Sequence, residues 1–89
     1  MGNAHKLSVR VNIYPMVSGK TVYVANGEDV TGTTHDIEAE SMRELMIELR
    51  NTAVQLGLTR ADIEILGEFY EDELKEDDKL VWATNIFEI

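Results

Sequence analysis

Residues 41–58, SMRELMIELRNTAVQLGL, decide the fold of this 89-residue chain. Their apolar residues recur at three- and four-residue steps, the spacing of one helical stripe: Met42, Leu45, Met46, Leu49, Ala53 and Leu56. Ser41 stands at the N-cap position, and Glu44 three residues later completes a capping box. Gly57 follows the last periodic residue, where a left-handed C-terminal cap costs least. The pattern predicts a helix over about residues 42–56.

Two strands are predicted before this helix. Apolar and polar residues alternate over positions 7–14, the period of a half-buried strand. Pro15 cannot donate to a ladder, so this strand ends there or lies at a sheet edge. A turn at Ser18-Gly19 then leads to a second strand around Val22 and Val24, which share one face.

The link between the second strand and the helix is less clearly patterned. Asn26-Gly27 predicts a type I′ hairpin turn, because both central residues of that turn need positive φ. Residues 28–39 are polar and broken by Gly32, so they are compatible with a short edge strand, a loop or an extended path into the helix.

Two further strands are predicted after the helix. Ile63, Ile65 and Phe69 alternate with acidic residues, which indicates a strand with an acidic outer face. Residues 71–79, EDELKEDDK, are expected to form a solvated turn. Residues 79–89 are apolar on both faces and predict a last strand that is central in the sheet or lies at a subunit interface.

These elements predict an α+β fold: an antiparallel four- or five-stranded sheet with one helix packed on one face, in the order β-β-(β)-α-β-β. We expect a flexible N-terminus at residues 1–5 and a single domain at 6–89. The helix stripe is expected to contact Val9, Val11, Val22 and Ile63.

One helix leaves the opposite sheet face uncovered. That face would carry Tyr14, Tyr23, Tyr70 and one aromatic residue of the last strand. We therefore predict a homodimer through the last strand or the open sheet face; isolated tyrosines on an open sheet are an equally good interpretation.

Composition excludes several classes of function. Cysteine is absent, so disulfides and thiolate metal sites are excluded. No apolar run reaches the length of a membrane span and no signal-peptide pattern opens the sequence, so we expect a cytoplasmic protein.

Catalytic and cofactor motifs are also missing. Gly19-Lys20-Thr21 lacks the earlier glycine and the following helix of a phosphate-binding loop. His35 has nearby carboxylates but no second histidine at ligand spacing, and residues 72–78 lack the central glycine of a calcium loop. We expect no enzymatic activity, no cofactor and no metal site.

The negative charge is concentrated in one segment. The formal net charge is −9, and residues 61–78 alone sum to −8. The segment's acidic residues are the candidate partner-binding residues: Asp62, Glu64, Glu68, Glu71, Asp72, Glu73, Glu76, Asp77 and Asp78. Such a field disfavours direct binding to nucleic acid or anionic lipid and favours a basic partner.

This pattern resembles that of small acidic DNA-mimic inhibitor proteins of the phage type, which are short, cysteine-free, strongly negative and free of catalytic motifs. The resemblance covers size, charge and residues 62–78, whereas the nearly balanced charge of residues 1–60 departs from the most extreme members. It implies an inhibitor that blocks a basic DNA-binding protein, for example a nucleoid-associated protein or a nuclease. An acidic face that only keeps the chain soluble is the simpler interpretation.

A β-grasp or ubiquitin-like module is the alternative from another class. Two opening strands, a central helix and later strands are similar to the order of elements in that fold. The sequence ends in Phe87-Glu88-Ile89 rather than a Gly-Gly tail, so the resemblance implies an adaptor or scaffold domain with no conjugation activity.

Overall fold

The computed structural model describes residues 6–89, which form an α+β fold with a four-stranded mixed sheet and two helices. The strands are β1 (Leu7–Pro15), β2 (Thr21–Asp29), β3 (Thr34–Ala39) and β4 (Ile63–Gly67); the helices are α1 (Met42–Gln55) and α2 (Glu76–Ala83). Short 3₁₀ helices lie at Arg60–Asp62, Glu71–Glu73 and Ile86–Glu88. The predicted flexible N-terminus, residues 1–5, lies outside the described residues.

The sheet has the strand order β3-β2-β1-β4. The prediction of an antiparallel sheet is wrong for one of its three strand pairs. β2 is antiparallel to both β1 and β3, whereas β4 is parallel to β1, with Leu7 opposite Ile63. α1 carries the chain back along the sheet, so β4 starts from the same end as β3 and β1 and runs in their direction. A parallel pair needs such a crossover connection.

The predicted central helix is confirmed, with its N-cap at Ser41 and its glycine cap, but the Glu44 side chain does not complete the predicted capping box. Ser41 Oγ accepts a hydrogen bond from the Glu44 amide at 3.1 Å. At the other end Gly57 has φ +74°, and the Leu58 amide donates to the Ala53 carbonyl at 2.9 Å. This closure is a Schellman motif, and it buries Leu58 beside Ala53.

The hairpin turn lies later than predicted. Asn26 and Gly27 are inside β2, and a Cβ at Gly27 would lie 3.3 Å from the Leu7 side chain, so this glycine serves close packing rather than a turn. The chain instead turns at residues 30–33, where Gly32 has φ +87°. Asp29 Oδ1 fixes this turn by accepting from two of its backbone amides at 2.9 and 3.1 Å.

The predicted last strand is wrong: residues 76–83 form α2, and the chain ends in a 3₁₀ helix. Three acidic residues in the first turn of α2 favour a helix start, because they oppose the positive end of the helix dipole. Val81 and Ile86 are buried, while Leu80 is 69% exposed. The predicted turn at 71–79 is likewise replaced by a 3₁₀ helix and by α2. A short run that is apolar on both faces does not distinguish strand from helix.

The core lies between α1 and one face of the sheet. The predicted stripe is buried from Met42 to Ala53, and Leu45 and Leu49 are almost fully excluded from solvent, whereas its last residue, Leu56, is exposed. Val9 and Val11 join them as expected, and Ile63 packs against this core while partly buried.

The sequence predicted that Val22 of β2 faces the core, and this prediction is wrong. Tyr23 and Ala25 belong to the core, whereas Val22 lies on the opposite face, paired with Tyr14. β2 has apolar residues on both faces, so its alternation alone does not choose the buried side. Tyr14 and Tyr70 are exposed, in contrast to the buried Tyr23.

Within residues 6–89, neither helix has the length and apolarity needed to cross a bilayer.

We predict that Leu45→Ala or Leu49→Ala lowers the free energy of unfolding by about 2–5 kcal/mol, because each leaves a cavity in the core. Urea denaturation followed by circular dichroism measures the change. The matched control is Val54→Ala on the same helix, whose side chain is 61% exposed and should change stability little. Equal losses in the core and control variants would contradict this assignment of the buried face.

Candidate functional site

The structure separates the nine acidic residues predicted to bind a partner. They lie as follows: Asp62 in the first 3₁₀ helix, Glu64 and Glu68 along β4 and just beyond it, Glu71, Asp72 and Glu73 in the second 3₁₀ helix, and Glu76, Asp77 and Asp78 in the first turn of α2. Because β4 ends at Gly67, no single strand carries the row expected from the sequence. Partner binding by these residues stays a prediction.

The sheet face opposite α1, here called the open face, carries a negative charge of its own. Its strand residues are Ser8, Arg10, Asn12, Tyr14, Val22, Val24, Asn26, Glu28, Thr34, Asp36, Glu38, Glu64 and Leu66, and Glu68 continues it beyond β4. Five of these side chains are carboxylates and one is a guanidinium, so their formal sum is −4.

The carboxylates of the open face form two ridges. Glu64 and Glu68 make the β4 ridge, while Glu28, Asp36 and Glu38 make the β2–β3 ridge on the far side of β1. Neighbouring strands are about 4.8 Å apart, so the ridges are separated by two to three spacings, about 10–14 Å. The sequence could not reveal the second ridge, because residues 28–39 had no clear strand register.

Hydrogen bonds orient one carboxylate in each ridge. Asn12 Nδ2 donates to Glu68 Oε1 at 3.0 Å, and Asn26 Nδ2 donates to Asp36 Oδ1 at 2.9 Å. Arg10 Nη1 lies 3.7 Å from Glu68 Oε2 in an exposed ion pair. Exposed pairs of this kind contribute little stability.

A cleft opens between the ends of β1 and β2 and the segment that leads into α2. Tyr23, Tyr70, Glu73 and Asp78 are among its lining residues, and we call it the Tyr70 cleft. Tyr23 Oη donates to Asp78 Oδ2 at 2.7 Å. Burial, and then this hydrogen bond and the negative charge of Asp78, raise the pKa of Tyr23 to about 12. Tyr70, by contrast, is 78% exposed.

A second cleft lies between α1, β4 and the C-terminal segment, with a volume of about 320 Å³. Trp82 lines it, and the Trp82 ring contacts Phe69 edge-on with centroids 4.9 Å apart. A Cβ at Gly67 would come within 2.8 Å of both rings. The glycine that ends β4 therefore makes room for this aromatic pair.

His35 supports a turn. Its Nε2 lies 3.2 Å from Asp29 Oδ2, rather than forming a cluster with the carboxylates that follow it in sequence. The hydrogen bonds from Thr31, and then the one with His35, lower the pKa of Asp29 to about 2. Across residues 6–89, no group of three or more histidine and carboxylate side chains is arranged to hold a metal ion.

No protein-family model matches the sequence, and no curated protein or solved structure matches the chain. Function is therefore inferred from the open face and the clefts alone.

We predict that the Tyr23 phenol stabilises the fold below pH 10.0 and loses this contribution as the pH rises to about 12. The sign follows because the folded pKa lies above the ordinary value of 10.0, so deprotonation is harder in the folded state. Urea unfolding at a series of alkaline pH values measures the loss. Tyr23→Phe is the control, because it keeps the ring and removes the titrating group. Parallel loss in both proteins across this range would contradict the prediction.

Proposed function

We propose that this protein is an acidic protein-interaction module that inhibits a basic nucleic-acid-binding protein by imitating the charge of DNA. The observation that carries the proposal is the pair of carboxylate ridges on the open face. The proposed mechanism is occupation of the partner's DNA-binding groove, with no catalytic step. The proposed setting is the cytoplasm, which suits a chain without cysteine.

The spacing of the ridges supports this proposal. Two rows of negative charge about 10–14 Å apart are comparable with the two phosphate backbones that border a major groove about 12 Å wide. Basic side chains that normally contact both backbones would then find a carboxylate on either side. In this arrangement residues 71–78 supply further negative charge beside the main contact.

Apolar side chains on the open face also support a protein partner. Tyr14, Val22 and Val24 lie at one end of the open face, so apolar contact is available beside the charge. Protein interfaces combine an apolar centre with a polar rim. A basic protein could therefore gain both electrostatic attraction and burial of apolar surface.

A second candidate is a β-grasp scaffold or adaptor domain with no conjugation activity. What favours it is the chain order: an opening hairpin, a crossover helix, and a returning strand that is parallel to β1. This argument is an analogy of fold and names no partner. Duplex DNA should not compete with the partner of such an adaptor.

The test is displacement of DNA from purified basic DNA-binding proteins, including a nucleoid-associated protein and a nuclease. We expect this chain to release labelled duplex DNA from at least one of them and to inhibit its activity. Binding should weaken steeply between 0.1 and 1 M salt, because the Debye length falls from about 10 Å to about 3 Å. Failure to release DNA from any of these proteins would contradict the proposal.

Two triple variants with equal charge test the location of the contact. Glu28, Glu38 and Glu64 changed to Lys alter the open face, whereas Glu71, Asp72 and Glu73 changed to Lys alter the second 3₁₀ helix; each changes the formal net charge from −9 to −3. All six side chains are exposed, so both variants should fold.

We expect the open-face triple to abolish DNA displacement. The other triple should slow association more than it speeds release, as charges at the rim of an interface do. Stopped-flow binding separates the two rates. Equal effects of both triples would contradict a role for the ridges, and wild-type behaviour of both would contradict charge mimicry altogether.

The homodimer is a separate prediction, and the open face is its remaining candidate surface, since residues 79–89 do not form a strand. Two copies of this face would bring like charges together. A dimer through it should therefore strengthen as salt rises, opposite to binding of a basic partner. Sedimentation at micromolar concentration in low and high salt measures this; a monomer of 10.1 kDa in both would contradict the homodimer.

A further inference from the structure

We propose that the Tyr70 cleft binds an arginine side chain of the basic partner. This inference rests on the proposed function, since it identifies one contact of that partner. The proposed arginine site is separate from the carboxylate ridges. The cleft lies at the end of the sheet beside the start of α2, whereas the ridges lie on the open face.

The cleft holds carboxylates suited to a guanidinium. Glu73 and Asp78 both line it; the partly buried Asp78 is the proposed acceptor, whereas the exposed Glu73 adds negative charge at the rim. The hydrogen bond from Tyr23 Oη holds Asp78 in one orientation, so less conformational freedom is lost when a cation binds. At neutral pH the phenol is protonated and therefore remains the donor of this hydrogen bond.

The cleft also holds an aromatic ring that is mostly exposed to solvent. Tyr70 is 78% exposed, although Leu74, four residues later in the same wall, is buried. Phe69 lines the cleft as well, and its contact with Trp82 holds that ring in place. A cation over an aromatic face is attracted by the ring quadrupole, and arginine makes this contact more often than lysine.

The combination of ring and carboxylate selects arginine. A guanidinium can stack on an aromatic face while its planar fork donates to a carboxylate, whereas an ammonium is a strongly hydrated point charge. Lys75 also lines the cleft and would repel an incoming cation. Removing the Lys75 charge should therefore strengthen binding, a result opposite in sign to loss of Tyr70.

The experiment is an NMR titration of the whole protein with N-acetyl-arginine methylamide, compared with the matching lysine and citrulline compounds. We expect the arginine compound to shift the amide signals of residues 69–78, the lysine compound to bind more weakly and the uncharged citrulline compound to have little effect. Equal effects of arginine and citrulline, or shifts confined to other parts of the chain, would overturn the inference.

Variants localise the contact. Tyr70→Ala should weaken arginine binding about fivefold, and Tyr70→Phe should preserve it, because the ring supplies the attraction. Lys75→Gln should strengthen it about twofold to threefold. Tyr14→Ala is the matched control, since Tyr14 is also exposed but lies on the open face. Because Tyr70 is exposed, its variants should fold; unchanged binding by Tyr70→Ala would overturn the inference.

The outcomes separate this inference from the proposed function. A partner that is displaced by DNA and depends on the ridges, but binds Tyr70→Ala as well as wild type, would overturn the cleft inference alone. Arginine binding in the cleft without displacement of DNA from any tested protein would overturn DNA mimicry alone.

Discussion

Burial of one apolar helix stripe against one face of the sheet is the interaction on which the whole structure depends. Leu45 and Leu49 of α1 meet a core that includes Val9 and Val11 of β1. Hydrophobic burial of this kind is the main favourable term in folding a chain of this size. Since both helices lie on the buried side, the other face of the sheet is free to carry charge.

The C-terminal segment completes this core instead of extending the sheet. Val81 and Ile86 bury their side chains beside α1, and Arg50 Nη1 donates to the Ile89 carbonyl at 2.6 Å. Tyr23 and Asp78 join the sheet to α2 by a hydrogen bond. These contacts place the acidic start of α2 at the end of the sheet, where it borders the Tyr70 cleft.

The fold, rather than the order of residues in the sequence, thus brings acidic side chains from distant segments onto one face of the sheet. Glu28 and Glu38 come from the part of the chain whose charge is nearly balanced, yet they share a face with Glu64. A basic partner would meet the local arrangement of carboxylates, not the average charge of a segment. Electrostatic complementarity mainly governs encounter rate and specificity, so this arrangement matters more for recognition than for stability.

The sequence alone determined the features that depend on local pattern. The α1 stripe, its N-cap at Ser41 and its glycine cap at Gly57 follow from helical periodicity and backbone preference, and the alternation of β4 follows from a period of two. Absence of cysteine and the concentration of acidic residues in 61–78 are likewise properties of composition.

Tertiary structure decided what depends on contacts between distant segments. The direction of β4 followed from the crossover through α1, and the buried side of β2 followed from its register with β1. Gly27 lies inside a strand, where the Leu7 side chain packs close to it. Residues 76–83 form a helix whose Val81 is buried, although their apolar pattern suited a strand equally well. Local sequence cannot specify such outcomes, because each is set by a partner surface that only the folded chain provides.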